Sequence, residues 1–254
     1  MVVCQPAEPP GLDPTANTAA AIDRVVFANI YEGLVKVNRN GAFVPGLATA
    51  WTVSPDGKSY TFKLRKGVTF HNGQPFNAAV ARWNLERNAA ETTKNAHPEF
   101  FRGIEKIETP DDNTLVLTLK DVDALFIAHM AEGDAVMLPQ KGNENAASQP
   151  VGTGPFKFVS AEGLEQIVME RFDDYWGGAA DLEPTGPACV SQAVFIVIPE
   201  ASTRVAALLA GEVDIIQSVP AELVDTLAQT PGIQLQTAPS TQPKWMEMNV
   251  HQAP

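Results

Sequence analysis

The chain is poor in the residues that hold metals and disulfides. It has two cysteines, Cys4 and Cys189, and four histidines in 254 residues. No two histidines have the spacing of metal ligands on a helix, and the cysteines lie far apart in sequence. We therefore predict neither a metal site nor a cofactor, and leave open whether the two cysteines pair.

Long apolar runs and a basic surplus are also missing. No stretch approaches the ~18 consecutive apolar residues that a membrane-spanning helix needs. The net charge is −12, from 18 Lys and Arg against 30 Asp and Glu, which argues against nucleic acid or an anionic membrane as a partner. With 44% hydrophobic residues, the composition is that of a globular protein, long enough for one large domain or two small ones.

Catalytic motifs are absent as well. The sequence has no G-x-S-x-G nucleophile elbow. Its GTGP segment at 152–155 lacks the Lys-Ser/Thr of a phosphate-binding loop, and its proline has no amide hydrogen, so we interpret it as a tight turn between strands. The carboxylate pairs Asp173-Asp174 and Glu105/Glu108 are typical of solvated surface. We predict that the chain is not an enzyme.

Alternating apolar and polar residues predict antiparallel hairpins in the first half of the chain. Tyr60, Phe62 and Leu64 alternate with polar neighbours, which is typical of a half-buried strand. Pro-Asp-Gly and Asn-Gly turns flank this strand. A second hairpin is predicted over Ile104–Lys120, with an Asp-Asp-Asn turn between its arms.

Helical periodicity and capping residues predict the helices. The first should run over about Thr18–Ile30, with Asn17 or Thr18 as its cap, and the second should begin at Asn77. The second half favours a β-α-β unit over Val194–Ile216, in which a right-handed crossover makes the strands parallel. Further elements are predicted as strands at 2–5, 156–159, 167–170 and 233–236, and as short helices at 125–130 and 221–227.

Five segments, in chain order, resemble the signature phrases of one protein family. They are YEGL with PGLA at 31–48, the run WTVSPDGKSYTFKLRKGVTFHNGQPF at 51–76, VGTGP at 151–155, RFDDYWGG at 171–178 and IPEASTRVAALLAGEVDII at 198–216. The chain thereby resembles the extracytoplasmic solute-binding proteins, family 5, which serve peptide and nickel ABC importers. The segments 76–79 and 239–254 are most similar to the glutathione- and peptide-binding branch.

This resemblance implies a fold and a division of the chain. The expected fold is α/β: a periplasmic-binding-protein-like lobe of type II, with a mixed β-sheet and a smaller hairpin-rich subdomain. Residues 1–40 and 155–250 would form the main part of the lobe, 41–154 the inserted subdomain, and 245–254 a hinge strand towards a second lobe. Because family members are longer, we expect a first-lobe fragment that binds solute weakly alone, with Met1 replacing a removed export signal.

The resemblance also implies a function. The expected protein is the substrate-binding component of an ABC importer, which captures di- or oligopeptides or a glutathione-like solute and delivers them to a permease. It would be periplasmic and monomeric, with the solute and the ABC permease subunits as partners and no nucleic acid. Opines, sugars or a nickel chelate are alternative solutes on the same scaffold. A solute-independent signalling or chaperone module is the alternative of another class.

Relatives line their cleft with the loop after the first strand, with the first helix and with the hinge strand. On this chain the loop gives Pro10 and Gly11, although a plain turn accounts for them equally well. Arg24 lies on the first helix, where it would pair with a ligand carboxylate or simply face water. Trp245 and Glu247 lie on the hinge strand, and Trp245 would contact the ligand or pack between lobes.

Two further segments match cleft positions of the family. His97 aligns with an aromatic cleft residue, whereas Phe100 and Phe101 are assigned to the core. Glu132 and Asp134 fall where metal- and chelate-binding relatives carry an arginine, which argues against a nickel chelate here. These two acids would attract a ligand amine or face water.

Overall fold

A computed structural model of the chain describes residues 1–38, 40–163, 165–177 and 186–237. The chain divides into two compact units, Met1–Gln217 and Ser218–Pro254. In the first unit the strands are β1 (Val2–Gln5), β2 (Val35–Val37), β3 (Phe43–Pro45), β4 (Ala48–Val53), β5 (Ser59–Leu64), β6 (Ile104–Asp111), β7 (Thr114–Leu119), β8 (Phe156–Glu162), β9 (Gln166–Arg171), β10 (Gln192–Val197) and β11 (Ile215–Ile216). Its helices are α1 (Ala20–Val26), α2 (Ala78–Ala89), α3 (Pro98–Arg102), α4 (Phe126–His129) and α5 (Ala201–Leu209). The second unit, described to residue 237, contains a 3₁₀ turn at Ala221–Leu223 followed by α6 (Val224–Ala228).

A five-stranded mixed sheet with the order β11-β1-β10-β9-β8 brings together the two ends of the first unit. β1 pairs in parallel with β10 on one side and with β11 on the other, while β9 and β8 continue the sheet antiparallel. The β10-α5-β11 crossover therefore yields parallel strands, as predicted, with β1 inserted between them. This sheet confirms the mixed α/β fold class.

A separate four-stranded antiparallel sheet, β4-β5-β7-β6, is built from the middle of the chain. The alternation predicted for β5 is confirmed, since Tyr60, Phe62 and Leu64 are buried. Phe62 faces Leu115 across the sheet. The second helix begins where it was predicted, since Asn77 is the N-cap of α2 and its side chain accepts a 3.0 Å hydrogen bond from the amide of Val80. The boundaries proposed for the two subdomains stay a prediction.

Two apolar cores meet along the segment 136–138. Val136 and Leu138 are fully buried in the core that covers the mixed sheet, whereas Met137 belongs to the core of the four-stranded sheet. Successive side chains of an extended segment point in opposite directions, so this segment runs between the cores. The residues just before it, 132–135, are buried except for Glu132, and Ala135 belongs to the core of the four-stranded sheet.

The GTGP segment packs directly against the end of the first helical region. The amide of Gly154 donates to the carbonyl oxygen of Ile30 over 2.9 Å. A Cβ on Gly152 would lie only 1.9 Å from the same oxygen, so this position has room for glycine alone. The segment is a close backbone contact before β8, in agreement with its interpretation as structural.

Two predicted elements differ from the structure. The first helix spans only Ala20–Val26, because Phe27 is extended and Ala28 adopts a φ of 62°. Asn17 does not cap it; its side chain accepts from the amide of Ala19 in a local turn. The strand predicted over 233–236 is wrong: Ile233 ends a turn with its amide bonded to the carbonyl of Thr230, and these residues pair with no strand of the described chain.

Candidate ligand-binding site

A cavity of about 320 Å³ lies beside α1, where α3 and the residues after α4 approach it. Its lining combines carboxylates, imidazoles and one phenyl ring. The lining residues are Pro14, Thr18, Asp23, His97, Phe100, His129, Glu132, Gly133 and Asp134. They come from three separate parts of the sequence, which the two cores hold together.

Asp134 is the most buried polar group of the cavity, with 4% of its surface exposed. The Nδ1–H of His97 donates to Oδ2 of Asp134 over 2.7 Å. Its second oxygen, Oδ1, has no hydrogen-bond partner within the described ranges. One half of this carboxylate is therefore positioned by the protein, and the other half is left without a donor.

Three asparagines fix the main chain around Asp134. The carbonyl oxygen of Asp134 accepts hydrogen bonds from the side-chain amides of Asn88, at 3.2 Å, and Asn95, at 2.9 Å. One helical turn before Asn88, Asn84 exchanges two hydrogen bonds with the main chain of Leu138, at 2.9 and 3.0 Å. Because these amides are buried and satisfied, they hold the segment rigidly.

Asp23 and Glu132 add two more carboxylates. The Asp23 side chain lies against Gly133, where an added Cβ would come within 2.5 Å of its Oδ1 atom. Burial raises the pKa of Asp23 above its ordinary value of 3.8, and the carboxylates of Glu132 and Asp134 raise it further. The glycine thus permits three acids to crowd into one cavity.

Stacked rings form another wall. The ring of Phe100 lies 5.1 Å from that of His97 and 3.6 Å from that of His129, with an interplanar angle of 13° to the latter. His129 Nε2 in turn lies 3.7 Å from a carboxylate oxygen of Asp123. This column presents a flat, partly apolar surface to the cavity.

Three of the residues predicted to face the solute, His97, Glu132 and Asp134, line this one cavity. Arg24 does not: it is exposed, and its neighbour Asp23 takes the place on the cavity wall. Whether these residues contact a ligand stays a prediction.

The loop residues Pro10 and Gly11 lie away from the cavity. Pro10 is exposed, and the loop is tied down where the amide of Leu12 donates to the carbonyl of Ala147. Trp245 and Glu247, with the predicted hinge strand 245–254, lie outside the described residues.

Sequence reasoning missed part of the cavity. Phe101 is core as predicted, but Phe100, also assigned to the core, packs on it from one side and lines the cavity with the other. Asp23, Thr18 and His129 were not recognised, because only the fold brings them to the other lining residues. The one local signal in the sequence for this cavity was the pair of acids that flank Gly133, namely Glu132 and Asp134.

Two other openings of the described chain contain few or none of the predicted site residues. A groove of about 930 Å³ between α2 and β6 is open, lined by charges of both signs, and contains none of the predicted residues. A cavity of about 700 Å³ near residues 27–37 and 186–190 is mainly apolar, and Glu132 is the one predicted site residue in its lining. Within the described ranges, no three His, Cys, Asp or Glu side chains are placed to hold a metal ion, and no helix could cross a bilayer.

The mixed α/β architecture of the chain matches that of solved periplasmic binding proteins. The chain belongs to the bacterial extracellular solute-binding proteins, family 5, whose model matches residues 42–254. This membership confirms the resemblance seen in the sequence.

Known relatives agree with this assignment. The chain is 32% identical over 249 residues to a glutathione-binding protein, GsiB, of Pectobacterium atrosepticum, covering 96% of this chain and 46% of that protein. A dipeptide-binding protein from Pseudoalteromonas in complex with Met-Leu superposes with a TM-score of 0.81 at 27% identity, over 91% of this chain and 49% of the other. The binding protein AgaA of A. tumefaciens in complex with agropinic acid gives 0.79 at 33% identity, over 91% and 46%. The chain thus spans about half the length of the relatives it matches.

Proposed function

We propose that this chain supplies the first lobe of the substrate-binding component of an ABC importer. The intact protein captures a peptide or glutathione-like solute outside the cytoplasmic membrane and delivers it to a membrane permease. Two lobes close around the solute, and the permease responds to the closed state. The protein is periplasmic and monomeric, and it catalyses no reaction on its solute.

The cavity around Asp134 is the observation that carries this proposal. Its lining brings together three separate parts of the chain, the main chain of Asp134 is held by buried asparagines, and one oxygen of the Asp134 carboxylate has no donor among the described residues. Preformed polar anchors beside an aromatic wall are typical of small-molecule sites. The relatives named above as glutathione- and dipeptide-binding support a solute of this kind.

Calorimetric titration of the full-length protein that contains this chain tests the proposal. The panel consists of glutathione, di- and tripeptides, an opine, a sugar and a nickel chelate, and the 254-residue chain is titrated in parallel. We expect binding of glutathione or a short peptide by the full-length protein, and little or no binding by the 254-residue chain.

The other outcomes distinguish the alternatives. Binding of only the opine, the sugar or the chelate would replace the peptide with that solute on the same scaffold. No binding of any solute, together with solute-independent association with a protein partner, would favour the signalling or chaperone module.

A further inference from the structure

A second cavity, of about 700 Å³, lies where α1 ends, and its walls come mainly from residues 27–37, 155–156 and 186–190. Most of its lining is apolar or aromatic, including Phe27, Val37, Phe156, Tyr175, Ala188 and Val190. Phe27, Ala188 and Val190 also pack on the core that covers the mixed sheet. A concave apolar space of this size, with a few polar groups, is typical of small-molecule binding sites.

The wall at residues 27–31 is held in shape by main-chain hydrogen bonds. The amide of Ala28 donates to the carbonyl of Tyr31 over 2.9 Å, and the amide of Phe156 donates to the carbonyl of Asn29 over 2.9 Å. Ala28 itself has a φ of 62°, which residues other than glycine rarely adopt. Such a conformation persists only where the surrounding structure fixes it, so this wall of the cavity is preformed.

The buried polar side chains of the described lining are already paired within the protein. The Glu32 carboxylate accepts from the hydroxyl of Tyr175 over 2.9 Å and forms an ion pair with the ammonium of Lys36. The side-chain amide of Asn29 donates to a main-chain carbonyl over 2.9 Å. The remaining charged side chain of this lining, Glu132, is exposed to water. The described lining therefore offers a ligand apolar surface but no unpaired buried charge.

Apolar surface continues from this cavity onto the β2-β3 hairpin. Val37 lines the cavity and is 48% exposed, and Phe43, its partner in the hairpin register, is 43% exposed. Residues directly opposite each other in an antiparallel pair lie on the same face. The apolar lining therefore extends from the cavity to the exposed face of the hairpin.

We propose that this cavity is a second binding site, which takes an uncharged molecule with an aromatic or other apolar ring system. Such a ligand gains free energy when its apolar surface leaves water. A charged group on the ligand would lose its hydration without meeting a counter-charge, because Glu32 and Lys36 neutralise each other. The site is separate from the candidate solute cavity, and the inference does not depend on the proposed function.

Two dyes with the same ring system test the chemistry of this site. N-phenyl-1-naphthylamine is uncharged, whereas 8-anilinonaphthalene-1-sulfonate carries a sulfonate on the same rings, and both fluoresce strongly in apolar surroundings. Each dye is titrated into the full-length protein that contains this chain. We expect saturable binding of the uncharged dye, at least about 10-fold tighter than that of the anionic dye. No saturable binding of the uncharged dye, or tighter binding of the anionic dye, would overturn the proposal.

A variant that fills the cavity tests the location of the site. Ala188→Phe adds a ring to the lining and should weaken binding of the uncharged dye at least about 10-fold. Ala50→Phe, at an exposed position on β4 outside the lining, is the matched control and should leave the affinity unchanged. Circular dichroism checks the fold of both variants. Equal dye affinity of folded Ala188→Phe and wild type would overturn the assignment to this cavity.

If Ala188→Phe does not fold, a cysteine of the lining decides the location. Cys189 is exposed and lines the cavity, whereas Cys4 is buried. Saturating uncharged dye should slow the alkylation of Cys189 by N-ethylmaleimide, as measured by mass spectrometry of the peptide that contains it. In the double variant Cys189→Ser/Ser148→Cys, the thiol is at an exposed position outside the lining, and the dye should not change its alkylation rate. An unchanged rate at Cys189, or equal slowing at both positions, would contradict the proposal.

Discussion

The indole N–H of Trp176 donates a 2.8 Å hydrogen bond to the carboxylate of Glu32, although 144 residues separate the two in the chain. Glu32 is fully buried. It also accepts from the hydroxyl groups of Tyr175 and Thr153, each at 2.9 Å, and pairs with the ammonium of Lys36. Three of the segments that carry the family resemblance, YEGL, VGTGP and RFDDYWGG, therefore meet at one carboxylate.

Removal of the Glu32 charge should strongly destabilise the fold. In Glu32→Gln, Lys36 loses its buried counter-ion and three charge-assisted hydrogen bonds weaken, which we expect to lower the free energy of unfolding by about 3–5 kcal/mol. Trp176→Phe removes one donor and should lower it by about 1–2 kcal/mol. Urea unfolding measures both.

The matched control for this prediction is Glu8→Gln, at an exposed position, which should change the free energy of unfolding by no more than about 0.5 kcal/mol. If Glu32→Gln were as stable as the wild type, the contacts of Glu32 would not be what holds these three segments together.

Asp23 should oppose stability at neutral pH. Its pKa is raised in the folded state, so its ionised form is less favourable there than in the unfolded chain. The penalty is absent below the ordinary value of 3.8, grows as the pH rises through that value, and is complete above the folded pKa. Asp23→Asn should therefore raise the melting temperature at pH 7, and the gain should vanish at strongly acidic pH.

Differential scanning calorimetry across this pH range measures the effect, with Asp121→Asn as the exposed control. A lower melting temperature for Asp23→Asn at pH 7 would contradict the crowding of carboxylates.

His71 should make the fold sensitive to mild acid. Its Nε2–H donates to the carbonyl of Gly154 over 2.9 Å, and its Nδ1 accepts from the amide of Gly152, so the ring is neutral. Burial lowers its pKa from 6.5 to about 4. Because the unfolded chain binds the proton first, the stabilisation is complete above pH 6.5 and is lost as the pH falls through about 4; its size is at most on the order of 3 kcal/mol.

His71→Gln retains a donor and an acceptor but cannot titrate in this range. Its free energy of unfolding should vary less between pH 7.5 and 4.5 than that of the wild type. His71→Ala should show the same reduced slope at lower overall stability. If the free energy of unfolding of both variants varied with pH as much as that of the wild type, the acid sensitivity would come from other groups.

Gly152 should tolerate no side chain. A Cβ at this position would lie 1.9 Å from the carbonyl oxygen of Ile30, so Gly152→Ala must displace the main chain and should cost more than about 4 kcal/mol, or prevent folding. Gly11→Ala is the matched control, because its nearest neighbour atoms lie 3.8 Å away. Circular dichroism and thermal unfolding of the two variants should therefore differ sharply, and equal melting temperatures would contradict the close contact.

Regular strands were the most predictable part of the fold. The burial of one face of β5 and β7 follows from a two-residue period that is visible in the sequence. The first helix was predicted too long because apolar spacing continues to Ile30, whereas the chain leaves the helix at Phe27 and turns at Ala28. That turn depends on packing against Gly152 and Gly154, which no local pattern contains.

The candidate site was only partly predictable. His97, Glu132 and Asp134 were found through the family resemblance, and the structure places them together. On the first helix, Arg24 was predicted to face the solute, whereas Asp23 lines the cavity. The helix is short, and sequence alone does not show which of two adjacent residues in such a helix faces a cavity. The asparagines Asn84 and Asn88 were also overlooked, since polar residues four apart on a helix usually face solvent.

The main chain at Asp134 is anchored independently of its own side chain. Asn88 and Asn95 hold the carbonyl oxygen, while the carboxylate is bonded only to His97 within the described chain. We therefore expect replacement of this one side chain to leave these two main-chain hydrogen bonds in place. Position 134 is therefore a place where a side chain that lines the cavity can be exchanged, for example to build a biosensor, without removal of the contacts that hold the main chain.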